Sequence, residues 1–272
     1  MNLPLRWDLV TPDQLGSMLD DVEAPEVWYL DDLAECAGKV LARSGNGDLV
    51  FVGRSLDSMF DLLGGALDGG RALHRLPVSF AHGPVFRPEV RRVREMLAEA
   101  GVTPASLARR DRPLTFVDVV ASGGSFGKLF GLLDDWIAEE RETWPAIRRK
   151  LRFVGVTIRW RTSPNVERWQ QHAEWTRRLP ASSVVNVSLD EDVWCYLGNA
   201  QTKLTWPYQL HRWREYLREA KRDEKTREAL AEAVHLVALG RTKEVRRMIA
   251  RGMDGEPALS ESWLRTLQSR LS

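Results

Sequence analysis

The segment LTFVDVVASGGSFGKLFGLLDDW, residues 114–136, decides the fold class. Its first six residues are an apolar, β-branched run, short for a helix and without the alternation of a strand that faces water on one side. It reads as a strand buried on both faces, hence a strand of a parallel sheet. Small residues from Ala121 to Ser125 follow, and an amphipathic helical pattern then runs over 124–141. The same order recurs upstream, where LVFVG at 49–53 leads through small residues into a helical pattern at 55–66. A weaker strand, RALHRLPVSF, spans 71–80, and RFVGVTIRW (152–160) and SVVNVSL (183–189) supply two more. Helical patterns also cover 28–43, 88–100 and 165–178. Strands alternating with helices imply a parallel sheet covered on both faces, because each crossover returns the chain to the same end of the sheet. The expectation is a doubly wound α/β core of five mainly parallel strands over residues 1–190, opened by a helix. Beyond residue 190 the pattern is helical only, with helices expected at 191–197, 207–221, 224–239, 242–251 and 260–270. Residues 191–272 are expected to form a helical, tryptophan-rich extension.

The 272 residues are 43% hydrophobic and 28% charged, which excludes intrinsic disorder and fibrous architectures. A net charge of +1 gives no electrostatic reason to expect a nucleic-acid partner. No apolar run approaches the ~20 residues needed to cross a bilayer, and the start MNLPLRWDLVTPDQ has neither a basic region nor an apolar core, so a cytoplasmic protein with no membrane partner is expected. Cys36 and Cys195 lie far apart and outside any CxxC pattern, which argues against a disulfide or zinc framework; both are expected to be buried thiols.

The chemistry concentrates where the strand at 114–119 meets its helix. Glycines at such a turn let backbone amides converge, and the helix N-terminus adds partial positive charge, a combination that suits a phosphate. Ser122 and Ser125 can add hydroxyl donors. Asp118 stands at the carboxyl end of a strand, where open α/β sheets bind ligands, and its carboxylate suits ribose hydroxyls or Mg²⁺. A Walker A loop is excluded, because Ser122 replaces its first glycine and Leu129, not a hydroxyl residue, follows Lys128. A dinucleotide fingerprint is excluded because glycine is missing at 122 and the loop follows the third strand rather than the first.

FVDVVASGGS resembles the signature of the type I phosphoribosyltransferases: a buried strand, an acidic pair, two apolar residues, then a small, hydroxyl- and glycine-rich phosphate loop. The likeness is greatest to adenine-type members. The resemblance implies that Asp118 binds the ribose hydroxyls of phosphoribosyl pyrophosphate, while Ala121, Ser122, Gly123, Gly124 and Ser125 hold its 5′-phosphate. The first acid of the pair is Val117 here. The family's second loop, which binds pyrophosphate, corresponds to Gly53, Arg54 and Ser55 after the first core strand. Its guanidinium can fork onto a diphosphate. The resemblance covers roughly residues 28–190. It implies a Mg²⁺-dependent pentosyltransferase in nucleotide metabolism, with Asp118 and Arg54 as its catalytic residues and Asp118 a metal ligand through the bound substrate. A homodimer is compatible with it. The alternative is a non-catalytic ribose-phosphate or nucleotide sensor on the same fold.

The family closes a mobile loop over the transition state, and the equivalent stretch here is 81–113. Seven arginines against four acids in residues 87–112 make it cationic, with His82, Arg87 and Arg91 expected to reach the site. Eight of the eleven tryptophans fall between 136 and 213, most of them expected in the core. Within 190–217 a polar and aromatic mixture that includes Trp194, Tyr196, Lys203 and Trp206 is expected to close over the sheet edge and select the acceptor.

Overall fold

The computed structural model describes the chain apart from residues 1–5, 12–14, 24, 68–71, 81–86, 164, 167, 206–207 and 210–221 and the side chains at 87, 88, 208 and 209. The strands are β1 (Asp48–Val52), β2 (Leu73–Leu76), β3 (Val78–Ser79), β4 (Leu114–Val119), β5 (Leu151–Ile158), β6 (Val184–Leu189) and β7 (Tyr208–Gln209). Five of them form one parallel sheet in the order β2-β1-β4-β5-β6. β3 and β7 make a separate parallel pair. The helices are α1 (Leu30–Arg43), α2 (Asp57–Ala66), α3 (Arg87–Glu99), α4 (Pro104–Arg109), α5 (Gly124–Glu139), α6 (Trp144–Ile147), α7 (Trp169–His172), α8 (Glu191–Cys195), α9 (Glu224–Arg241), α10 (Lys243–Arg251) and α11 (Ser262–Leu271).

From β1 the chain moves to one side for β2, then crosses back to β4 and continues outward through β5 and β6. Right-handed crossovers in opposite directions place their helices on opposite faces. Accordingly α1 and α2 pack with Leu49, Phe51, Val117, Val154 and Val187 on one face, while α3 and α5 pack with Val50, Val52, Phe116 and Phe153 on the other. The expected α/β architecture with a parallel five-stranded sheet is therefore observed, and each core strand begins within two residues of its expected place.

Four local expectations are corrected. Residues 71–80 are not one strand: Pro77 lacks an amide to donate, so pairing with β1 ends at Leu76 and Val78–Ser79 pairs elsewhere. Tyr208–Gln209, expected as the start of a helix, is a strand paired with β3; the rest of that expected helix, 210–221, lies outside the described residues. The described residues of 165–178 form only the single turn α7 and a 3-10 turn at Glu174–Arg178, since Trp169 and Trp175 pack against Phe126, Phe130 and Phe153. Cys195 is exposed, whereas Cys36 is buried as expected and burial raises its thiol to about 12. The described part of the stretch expected as a lid is a pair of packed helices. Val93, Met96, Leu97 and Leu107 are buried, and α4 starts at a Thr103–Ser106 capping box with Pro104 in its first turn.

The helices beyond residue 223 lie directly against the core. α9 crosses α2 so closely that a Cβ on Gly65 would fall 2.0 Å from the Val237 carbonyl oxygen, and one on Gly240 would fall 2.2 Å from that of Leu62. α10 meets α1 in the same manner through Gly38 and Gly252. No helix among the described residues is long and apolar enough to cross a membrane.

Gly240→Ala should force α2 and α9 apart and lower stability by about 1–3 kcal/mol, the usual cost of overpacking. Gly131→Ala, on α5 where an added Cβ meets nothing within 4 Å, should instead stabilise by about 0.5–1 kcal/mol. Thermal melts of the two variants check this contrast, and equal shifts would contradict the close crossing.

Candidate functional site

β1 and β4 are neighbours in the sheet, but α2 and α5 leave them toward opposite faces. The loops that follow the two strands therefore diverge and leave a crevice at the carboxyl edge, the switch point at which open α/β sheets bind ligands. Both turns picked out from sequence, 53–55 and 121–125, border this crevice.

Asp118 stands at its floor. Strand alternation turns Val117 into the apolar layer beneath α1 and α2, where it is fully buried, and turns Asp118 toward the α5 side. The carboxyl is 7% exposed and receives one hydrogen bond, from the Val119 amide at 2.8 Å. Burial pushes it well above the ordinary carboxylate range, and the Val119 amide offsets only part of that effect. No cation among the described residues acts on it. Across the crevice Gly53 sits in the left-handed region at φ +72, its amide donating to the Leu76 carbonyl at 2.8 Å. A Cβ at Gly53 would lie 4.0 Å from Asp118 Oδ1, so the first turn comes right up to the carboxyl.

In the second turn Gly123 caps α5 with φ +78 and has no side-chain capping bond. Its Cα is covered by the indole of Trp169, which a Cβ there would meet at 2.2 Å. Trp169 is itself fixed by a 2.7 Å bond from Nε1 to Asn186 Oδ1. Glycine at 123 is thus demanded by packing and by backbone conformation. Ala121, Ser122 and Gly124 are exposed and Ser125 is half-buried, so these residues form the open edge of the turn. The first helical bond runs from the Gly127 amide to the Gly123 carbonyl at 2.9 Å, and the amides before it have no acceptor within the helix. They are available to an anion.

Arg54 reaches from the first turn to the Thr205 carbonyl, to which its Nη1 donates. Lys203 Nζ donates to the Ser55 carbonyl at 3.3 Å and to Gln201 Oε1. Burial lowers the Lys203 ammonium to about 8, against the opposing pull of Asp57. Residues 201–205 thus lie against the first turn, the direction expected for the 190–217 segment. Lys128 is tied to the Phe80 carbonyl at 2.7 Å. Of the residues expected to reach over the site, His82 and the Arg87 side chain lie outside the described residues. Arg91 is 81% exposed on α3, with Glu95 at 3.7 Å.

Two participants escaped the sequence reading. One is Trp169, whose role appears only once the glycine beneath it is placed. The other is Arg161, in the turn after β5, whose Nη1 donates to the Ala121 carbonyl at 3.1 Å. Its position directly after a core strand was the available signal, since every such turn opens onto the carboxyl edge.

Among the described residues no group of three or more His, Cys, Asp or Glu side chains is placed to hold a metal. A cavity of about 590 Å³ lies at the opposite end of the strands, bordered by Asn46, Leu67, Arg112, Trp263 and Arg270, and among the described residues no carboxylate or imidazole side chain lines it. Compared with protein-family models, curated proteins and solved structures, the chain matches none.

A buried carboxyl held above its unfolded pKa of about 4 contributes stability at low pH that is lost as pH rises through the folded pKa. Asp118→Asn removes that loss. The variant should therefore be more stable than the parent at pH 8, by about 1–3 kcal/mol for an uncompensated buried group, and equal to it near pH 4. Melts across this range check the sign; a variant less stable at pH 8 would indicate a cation beside Asp118.

Proposed function

We propose that the protein binds phosphoribosyl pyrophosphate, or a closely related ribose phosphate, across the crevice between the two turns. Asp118 carries this reading: a buried carboxyl with one hydrogen bond and no cation acting on it among the described residues, set between two glycine turns at the switch point. A ribose diol brings the hydroxyl donors that such a carboxylate lacks. The α5 N-terminus offers amides and partial positive charge to the 5′-phosphate, with Ser122 and Ser125 beside them. At the other turn Arg54, which donates to the Thr205 carbonyl, would present its guanidinium to diphosphate oxygens in a charge-assisted pairing.

The two turns contain no carboxylate, and Asp118 at the end of β4 lies beside them. A Mg²⁺ ion would therefore take its carboxylate ligand from Asp118 and its remaining ligands mainly from phosphates and water, an arrangement that suits this ion. When bound it would offset charge on the diphosphate. In a transfer reaction the bond between ribose C1 and the diphosphate breaks as an acceptor nucleophile attacks C1. Asp118 and the 121–125 turn would hold the ribose end in place while Arg54 spreads the charge of the leaving diphosphate. Val117 favours a second reading, a ribose-phosphate sensor without turnover, because an acid at that position would sit in the apolar layer under α1 and α2. Release of pyrophosphate with a panel of nucleobases separates the two readings.

Phosphoribosyl pyrophosphate with Mg²⁺ should raise the melting temperature, by the equivalent of about 2.7 kcal/mol at about 100 times its Kd. Ribose 5-phosphate should bind more weakly, since it engages one turn. An equal response to adenosine triphosphate, with none to either ribose phosphate, would overturn the proposal.

Arg54→Ala should weaken phosphoribosyl pyrophosphate and free pyrophosphate by about 1.5–3 kcal/mol, the value of hydrogen bonds to charged groups, and leave ribose 5-phosphate nearly unchanged. Titration calorimetry on a variant that melts normally checks it. Unchanged pyrophosphate affinity would remove the diphosphate end of the site.

A further inference from the structure

The 3-10 turn Arg159–Thr162, which follows β5, is tied by one side chain to α1 and by another to the 121–125 turn. Arg159 pairs with Asp32 of α1 at 3.4 Å. Arg161 Nη1 donates to the Ala121 carbonyl at 3.1 Å, and the Arg161 guanidinium carbon lies 5.2 Å from the centre of the Trp160 ring. Trp160 is 52% exposed, so its indole fills no core and one of its contacts is this cation. A guanidinium has five N–H donors, and the bond to Ala121 engages one of them. No carboxylate is paired with Arg161 among the described residues, whereas Arg159, two residues earlier, pairs with Asp32. The result is an oriented cation with no carboxylate partner among the described residues, at the rim of a turn whose Ser122 and Gly124 are exposed and whose first helix amides have no acceptor within the helix. Asp118, buried with a single hydrogen bond, opens onto the same crevice and marks it independently as a place for a polar ligand.

We propose that Arg161 is a binding residue of the phosphate subsite, supplying full positive charge to a phosphomonoester dianion on the 121–125 turn, with Trp160 as the positioning residue that holds the guanidinium over it. Backbone amides and a helix terminus provide only partial positive charge. A guanidinium forks onto two phosphate oxygens and rewards the second negative charge. The subsite therefore selects a terminal sugar phosphate over an unphosphorylated sugar or a phosphodiester. This inference rests on the ribose-phosphate reading above and adds to it the source of charge at the 5′ end.

Three variants separate charge from scaffolding. Arg161→Gln can still donate to the Ala121 carbonyl but carries no charge, Arg161→Lys keeps the charge, and Trp160→Leu removes the ring. Titration calorimetry with ribose 5-phosphate at two salt concentrations should show the glutamine variant about ten- to a hundredfold weaker, as expected for a lost charge-assisted pair, and with a reduced salt dependence. The lysine variant should recover part of the affinity, and Trp160→Leu should fall between. Pyrophosphate affinity, governed by the other turn, should stay within about twofold in all three variants, the range of surface substitutions. A glutamine variant that binds ribose 5-phosphate as tightly as the parent would overturn the role of Arg161 and leave the ribose-phosphate reading standing. Failure of the parent protein to bind any ribose phosphate would instead remove that reading, and this inference with it.

Discussion

The reversal of winding between β1 and β4 is the constraint on which the rest of the molecule depends. Two parallel neighbours whose helices leave toward opposite faces cannot close the space above their carboxyl ends with either helix. Backbone from both turns is therefore exposed to the same crevice, and a residue at the end of the central strand is buried from the sides but open from above. Asp118 occupies that position. In an apolar core a carboxyl with one hydrogen bond would be a defect, with the desolvation cost that implies. At the switch point it is a buried polar group with hydrogen-bonding capacity left over among the described residues.

The electrostatics around α2 differ from those of the crevice. Arg75 forks onto Asp57 at 2.8–3.1 Å, and Arg6 reaches Asp61 at 2.6 Å, all four groups being largely removed from water. Burial alone would raise both carboxyls. At Asp57 the guanidinium groups of Arg75 and Arg6 outweigh it and hold the group below its ordinary value, while at Asp61 burial prevails over Arg6 and the carboxyl lies at about 6. Buried pairs of this kind add little net stability but make the loss of one partner expensive. They fasten the segment at Arg6 and the β2 strand to one face of α2. Tyr29, Tyr196 and Gln201 meet at Glu232 on the neighbouring surface, joining α1, the segment after α8 and α9. The first turn of the candidate site is thus mounted on a helix fixed from several directions, which suits a site that must hold its geometry.

Most of the sheet and the second turn were legible in the sequence because local signals and tertiary demands agree there. Residues 114–125 carry the apolar run, the carboxylate and the glycines in one stretch, and each lies where the reading placed it. Disagreement arose where partners distant in sequence decided the outcome. Tyr208–Gln209 becomes a strand because Val78–Ser79 is left unpaired after Pro77, a fact no window around residue 208 contains. Residues 165–178 have helical spacing, yet the burial of Trp169 over Gly123 and of Trp175 against Phe130 outweighs propensity. Arg161 reaches the second turn through a bond to the Ala121 carbonyl, a contact between distant residues that the sequence around either one does not specify.

The glycine contacts of α1 and α2 bear on how the chain is made. The faces of these helices around Gly38 and Gly65 are shaped for the backbones of α10 and α9. The backbone that fills them comes from residues 237–252. At ordinary translation speeds the interval between completing α2 and completing α10 is on the order of ten seconds or more. Through that interval one side of the nascent sheet carries a layer of helices whose outer surface is apolar and notched. The site-bearing strands β1, β4 and β5 can pair long before the molecule is closed, so the nascent protein passes through a stage in which the crevice is largely built while its supporting layer is still sticky. Folding assistance, if the chain draws on it, is needed on the α1/α2 side of the sheet and in the second half of synthesis.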